Sequence, residues 1–206
     1  MSRVFVHMGI SLDGFIAGPN RGPKNPLGDR GTSIHTWMFQ QASFRRAHGG
    51  EGGETGADDR AIEAIVRRIG ANVMGKRMFE EGEANWPENA PFHTPVFVLT
   101  HEVRKPWVRP GGTTFHFVND GIASALAKAR EAAGAKDVRI SGGRDVVRQY
   151  LEAGLVDELS LALVPVFLGE GLRLFEGIDA SSFSLEIEQA THSPSVTHLR
   201  YAVKKR

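Results

Sequence analysis

Short apolar runs alternate along this chain with segments whose apolar residues recur every three or four positions. "VFVHMGI" (4–10), "ANVMG" (71–75), "TPVFVLT" (94–100), "TTFHFV" (113–118) and "KDVRIS" (136–141) are rich in β-branched and aromatic residues and read as strands. "DDRAIEAIVRRIG" (58–70) reads as a helix with Ile62, Ile65, Val66 and Ile69 on one face, Asp58 or Asp59 as its cap and Gly70 as its stop. "KRMFEEG" (76–82), "DGIASALAKAREAAG" (120–134) and "GRDVVRQYLEAG" (143–154) are the other clear helical patterns. "VDELSLALVPVFLG" (156–169), "FSLEIEQATH" (183–192) and "VTHLRYAVKK" (196–205) close the chain as strands. Pro165 interrupts the most apolar of these and calls for a bulge or an edge there. Strand and helix alternate through the first three quarters, which predicts a mostly parallel sheet with helices on both faces. "SPS" (193–195) then joins the last two strands as an antiparallel hairpin at the sheet edge. The expected architecture is one α/β domain over 1–206 with a long loop or insert at about 19–57. A short helix is expected within 33–48, and the glycine-rich "GGEGGETG" (49–56) as a mobile lid.

Composition narrows the function classes. With 206 residues and 41% hydrophobic content the chain can bury a substantial core. A net charge of +1 gives no electrostatic case for nucleic acid or an anionic membrane. There is no cysteine, so disulfides and thiolate metal sites are excluded, and no histidine pair has metal-ligand spacing. The start of the chain lacks a signal-peptide pattern, and "LSLALVPVFLG" (159–169) is about half the length of a membrane span. A cytoplasmic protein is the expectation.

In an open α/β sheet, ligands bind beyond the carboxyl ends of the strands, where helix N-termini present free N–H groups. Four segments have that placement: "GISLDGFIAG" (9–18), "MGKRMF" (74–79), "LTHEVRK" (99–105) and "ISGGRD" (140–145). Three bring a basic side chain, which suits a ligand with several phosphates. Each alone also reads as a turn or a solvated helix end, and neither a P-loop nor GxGxxG is present. Lys76 and Arg77 at a helix start oppose the macrodipole, so that pairing needs an anion to offset it.

"VMGKRMFE", "VFVLTH" and "ISGGRDVVRQYLEAGLVDELSLALVPVFLGEG", in this order, resemble the dihydrofolate reductase-like superfamily. "SLDGFIAG" and "GLVDEL…P…LGEG" are similar to motifs of its branch related to the C-terminal reductase domain of the riboflavin-biosynthesis deaminase/reductase. The resemblance covers nearly everything outside about 19–57. It implies a sheet of about eight strands with NADPH across the strand ends. Gly75, Lys76 and Arg77 would sit by the cofactor phosphates, Thr100 and His101 near the adenosine half, and Gly142, Gly143 and Arg144 at the pyrophosphate. Ser11, Asp13, Gly14, Ile16 and Ala17 would border the nicotinamide and substrate. Lys76, Arg77 and Arg104 would favour NADPH over NADH.

Two departures stand out. Met78 replaces the threonine of the family's GR-x-T pattern, and "HTWMFQQASFRR" (35–46) lacks the acid that dihydrofolate reductases carry on their first helix. Asp13, the one acid of the first motif, becomes the candidate proton relay, against a plain Asp-Gly turn. Trp37 and Phe39 read as packing or as walls of a substrate cavity, with Leu168 and Gly169 at its far end. His101 is a candidate cofactor contact, and Asp157 and Glu158 read as a sheet-edge or subunit contact. The expected activity is NADPH-dependent hydride transfer to a small heteroaromatic or carbonyl/imine substrate, pterin-like or ribosylaminopyrimidine-like, in a homodimer joined along the apolar strand 159–168. The rival is a non-catalytic NADPH-binding sensor or scaffold.

Overall fold

The structure, a computed structural model, describes residues 2–206. In chain order its elements are β1 (Val4–Ser11), β2 (Phe15–Ala17), α1 (Thr36–Phe39), α2 (Ala42–Ala47), α3 (Ala57–Arg68), β3 (Ile69–Gly75), α4 (Lys76–Glu83), β4 (Pro95–Leu99), β5 (Trp107–Val108) and β6 (Thr114–Val118). They continue as α5 (Ile122–Ala133), β7 (Asp137–Gly142), α6 (Arg144–Glu152), β8 (Glu158–Val164), β9 (Leu172–Arg173), β10 (Phe183–His192) and β11 (Thr197–Lys205). The main sheet has nine strands in the order β10-β11-β8-β1-β7-β3-β4-β6-β5, and β2 pairs with β9 in a separate ribbon. Strands β8, β1, β7, β3, β4 and β6 run parallel, while β11, β10 and β5 add antiparallel edges. This is the expected mixed α/β fold with one strand more than the eight expected, because the short β5 extends one edge.

The two-residue period of a strand divides the sheet's faces. Val4, Val6 and Ile10 of β1, Val138 and Ile140 of β7, and Ala71 and Val73 of β3 pack with Ala125, Leu126 and Ala129 of α5 and Val147 and Leu151 of α6. On the opposite face the core is split. Phe79 of α4 and Trp86 pack over Met74, Val96, Val98 and Phe115, while Trp37, Ile34 and Ile62 pack over Ala162 and Val164. Between these two clusters the central strands carry His7, Arg139 and Ser141 in register with the alternation, so the middle of this face is polar.

Several expectations change here. Gly56, not an aspartate, precedes α3, and no side chain caps it. Asp58 and Asp59 are buried: Asp58 meets His198 at 2.8 Å, and Asp59 accepts the Ser43 N–H at 2.7 Å. Ile69 and Gly70 belong to β3, and Val66 is exposed. The apolar run at 159–164 lies inside the sheet between β1 and β11, so it has no free face for a second copy. Exposed apolar side chains lie instead at Leu185 and Ile187 of the outermost strand. Nor is Asp157-Glu158 an edge motif. Asp157 accepts the Val4 N–H at 2.7 Å, and the buried Glu158 receives Arg68 at 2.7 Å and Arg3 at 3.3 Å. Pro165 follows the last residue of β8, so the sheet needs no bulge for it.

The 19–57 region is built rather than loose. The chain folds back on itself through Gly18 N–H to Leu27 C=O (2.8 Å) and Asp29 N–H to Pro19 C=O (2.8 Å). A side chain on Gly18 would overlap the Asp29 backbone, and one on Gly28, at φ +70°, would overlap that of Gly18. Further on, Glu54 pairs by backbone with Gln40 and Ala42, which anchors the glycine-rich stretch at its middle.

Candidate functional site

Helices α4, α5 and α6 each begin directly beyond the carboxyl end of a strand or the turn after it. Their caps are Gly75, Gly121 and Gly143, and none is closed by a side chain. All three glycines line one cleft of about 440 Å3, together with Lys76, Arg77, Thr100, His101 and Arg144. Three sets of free N–H groups thus point their partial positive charge into a single groove, an arrangement that favours phosphate. The cations around it are held by exposed acids. Lys76 pairs with Glu102 and Glu80, which raise its pKa, and Arg144 with Glu176 (2.8 Å) and Asp145 (3.1 Å). Exposed pairs of this kind are screened by water and contribute little, so an incoming phosphate displaces them easily. Gly142 has φ +131°, a conformation L residues avoid, whereas nothing lies within 4 Å of where a Gly143 side chain would begin. The groove therefore fits a dinucleotide's phosphates by shape and by donor chemistry. Met78 lines it through a thioether and supplies no hydroxyl.

The cleft continues past Gly143, Met78 and Arg21 into a second cavity of about 340 Å3 on the split face of the sheet. Its lining includes Ile16, Ala17, Leu27 and Trp86, with His7, Arg21, His35, Glu81 and Arg139 as its titratable groups. His7 donates to or accepts from Ser160 at 3.1 Å. Burial first, then the Arg139 charge, holds His7 down to about 3 and His35 to about 4, so both imidazoles are neutral at pH 7. Burial lowers Arg139 to about 10, which still leaves it cationic. Glu81 is buried on α4, with its carboxylate oxygens taken by Arg21 at 2.6 Å and Arg77 at 3.3 Å.

Of the sequence-predicted residues, Gly75, Lys76, Arg77, Thr100, His101, Gly143 and Arg144 come together in the cleft, and Ile16, Ala17, Gly142 and Gly143 border the inner cavity. The others fall elsewhere. Trp37 is buried against His198 with ring centroids 5.2 Å apart, and Phe39 lies on Phe44. Neither is among the residues lining the cleft or the cavity: Trp37 packs into the core cluster with Ile34 and Ile62, and Phe39 is exposed on the other side of its helix. Leu168 and Gly169 sit behind Asp13. Its carboxylate accepts the Ser11 hydroxyl at 2.6 Å and the N–H groups of Gly169 (2.7 Å) and Leu168 (3.2 Å). Partial burial pulls the Asp13 pKa up, but those three donors outweigh it and hold the group below the usual carboxylate range. Asp13 is thus a fixed anion that ties the β1–β2 turn to the 168–169 loop, and its bound, ionised state does not suit it to give up a proton. Arg104 is drawn away from the cleft by Glu83 and stacks on Phe117 at 4.6 Å.

Sequence reasoning missed His7, Arg139, Glu81 and Trp86. The one available signal was a charged residue inside "VRIS", since a central parallel strand covered on both faces has no solvent side on which to place it.

The comparisons with known proteins agree with this geometry. YyaP of Bacillus subtilis is 33% identical over 85 residues, 41% of this chain and 45% of that protein, so the match spans less than half of that relative. Two solved structures share the fold across almost the entire chain. A protein ascribed to riboflavin biosynthesis in Shewanella sp. PV-4 has a TM-score of 0.66 at 21% identity, covering 98% of this chain and 99% of that one. Dihydrofolate reductase from Enterococcus faecalis, solved in complex with NADP(H), has a TM-score of 0.55 at 14% identity, covering 99% and 96%. The RibD C-terminal domain model matches residues 2–199, and the chain belongs to that family.

Proposed function

We propose that the protein is an NADPH-dependent reductase that passes a hydride to a small planar substrate in the inner cavity. The observation that carries this reading is the convergence of three uncapped, glycine-started helices on one groove that opens into a separate, partly apolar chamber. The E. faecalis enzyme of the same fold, solved with NADP(H), supports it. When bound, NADPH supplies the hydride; the protein supplies binding, orientation and a shaped site. The N–H groups behind Gly143 and Gly75 hold the pyrophosphate, and Lys76, Arg77 and His101 meet the 2′-phosphate. Arg21, Met78 and Gly143 wall the passage between groove and chamber, and Ile16, Ala17 and Gly142 line the chamber beyond it. Asp13 acts as a positioning residue: it fixes the turn that leads into β2 and so sets where Ile16 and Ala17 stand.

Fluorescence titration with NADPH and NADH, followed by stopped-flow oxidation against a panel of pterins, pyrimidines and quinones, tests the reading. Tighter binding of NADPH and oxidation by at least one planar acceptor are expected. Equal affinity for the two cofactors would remove the 2′-phosphate assignment. Tight binding with no oxidation by any acceptor would replace the enzyme with a sensor.

A further inference from the structure

Arg139 stands in the middle of a central strand, half-buried, with its side chain on the split face where it lines the inner cavity. It has one hydrogen bond, a long one of 3.3 Å from Nη2 to the His7 carbonyl, and its buried Nε has no partner. No carboxylate reaches it: Glu81, the acid of this cavity, is committed to Arg21 and Arg77. The neighbouring imidazoles of His7 and His35 bring no negative charge. Burying an unpaired cation costs several kcal/mol, and proteins that do so hold a compensating group nearby. Arg68, on the same side of the sheet, shows the usual solution, with Asp137 at 2.6 Å and Glu158 at 2.7 Å. Arg139 has no such partner among the described residues.

We propose that Arg139 is the anion-binding residue of the inner cavity and that the ligand it takes is a flat monocarboxylate. The charge count of the cavity lining selects the class: Glu81 offsets Arg21, Arg77 is exposed to solvent outside the cavity, and Arg139 is the cation left over. One uncompensated cation is neutralised by one negative charge, whereas a dianionic phosphate would leave a buried surplus of its own. The guanidinium edge is planar and matches a carboxylate in the same plane, and the neutral histidines offer further N–H donors without adding charge. Ile16, Leu27, Met78 and Trp86 supply the apolar walls for the rest of a planar body. That this carboxylate belongs to the hydride acceptor rests on the reductase reading; the anion site does not.

Benzoate, its neutral isostere benzamide and dianionic phenyl phosphate are suitable probes, read by tryptophan fluorescence because Trp86 lines the cavity, with no cofactor present. Saturable binding of benzoate is expected, weakened at least about 30-fold in Arg139→Met and less in Arg139→Lys. Benzamide should bind the parent and Arg139→Met alike. The ligand-free Arg139→Met protein should melt at or above the parent's temperature, since it loses an unpaired buried charge; a structural arginine would leave it melting lower. Equal affinity for benzoate and benzamide, unchanged benzoate binding in Arg139→Met, a lowered melting temperature in that variant, or tighter binding of phenyl phosphate would each overturn the proposal. A negative result leaves the NADPH groove untouched, so the two readings fail separately.

Discussion

Gly143 offers a clean separation of binding from folding. It precedes α6 with φ −43° and ψ 173°, which an L residue can adopt, and a Cβ there would meet nothing within 4 Å. Gly143→Leu should therefore cost little stability, and reduced freedom of the unfolded chain returns about 0.4–1 kcal/mol. The same open space is where a phosphate must approach to within about 2.9 Å of the backbone N–H groups. A leucine there obstructs one charge-assisted hydrogen bond to the backbone, worth about 1.5–3 kcal/mol, so NADPH affinity should fall by between about 10-fold and about 150-fold. Arg144→Ala should weaken binding less, because that side chain already divides its charge between Glu176 and Asp145 at the surface. Fluorescence titration paired with thermal melting reads both quantities on the same samples. The reasoning is refuted if Gly143→Leu melts normally and still binds NADPH like the parent, or if Arg144→Ala is the more damaging change.

Other outcomes follow from the ionic interior. Arg68→Met strands the buried Glu158 with only Arg3 beside it, and should cost about 3–5 kcal/mol in urea unfolding. His7 and His35, held to about 3 and 4, bind fewer protons folded than unfolded below pH 6.5, so stability should fall with pH by about 1.4 kcal/mol per unit per histidine. Replacing either with glutamine should flatten that limb, as followed by urea midpoints between pH 7 and 4. Asp13 has a depressed folded pKa, so its contribution is complete above the ordinary carboxylate value and is lost as pH falls from there through the lower folded pKa. Asp13→Ala should lower stability at pH 7 by about 1–3 kcal/mol and shrink the acid-induced loss; an unchanged acid limb would show that the three donors do not act through its charge.

The alternating architecture was legible because long strands and amphipathic helices carry their period in the sequence. The ribbon of β2 and β9 and the two-residue β5 were not, since two or three residues define no period. The cleft could be read from glycines and cations at successive strand ends, as these features are local. Asp58 and Asp59 misled because their partners, His198 and Ser43, are distant in sequence, and an aspartate at a helix start looks like a cap whichever way it faces. Trp37 misled for a related reason: a helix shows which residues share a side, but not which neighbour that side meets. The polar floor of the inner cavity was hardest, because His7 and Arg139 lie in runs whose other members are core residues, and only the neighbouring strands reveal that this face is left open.

The backbone closure of the 18–29 segment bears on how this protein can change over generations. Gly18 and Gly28 join its ends main chain to main chain, so its frame tolerates no side chain at those two points, and Asn20 and Asn25 brace it on the Asp29 carboxylate. Pro26 and Leu27, which border the inner cavity from this frame, are the exchangeable part, whereas Arg21 is held by the buried Glu81. The segment behaves as a faceplate fixed by two bolts: its lettering can be rewritten one residue at a time while the mounting stays as it is. Descendants of this chain can acquire a new ligand preference at that rim without first redesigning a loop.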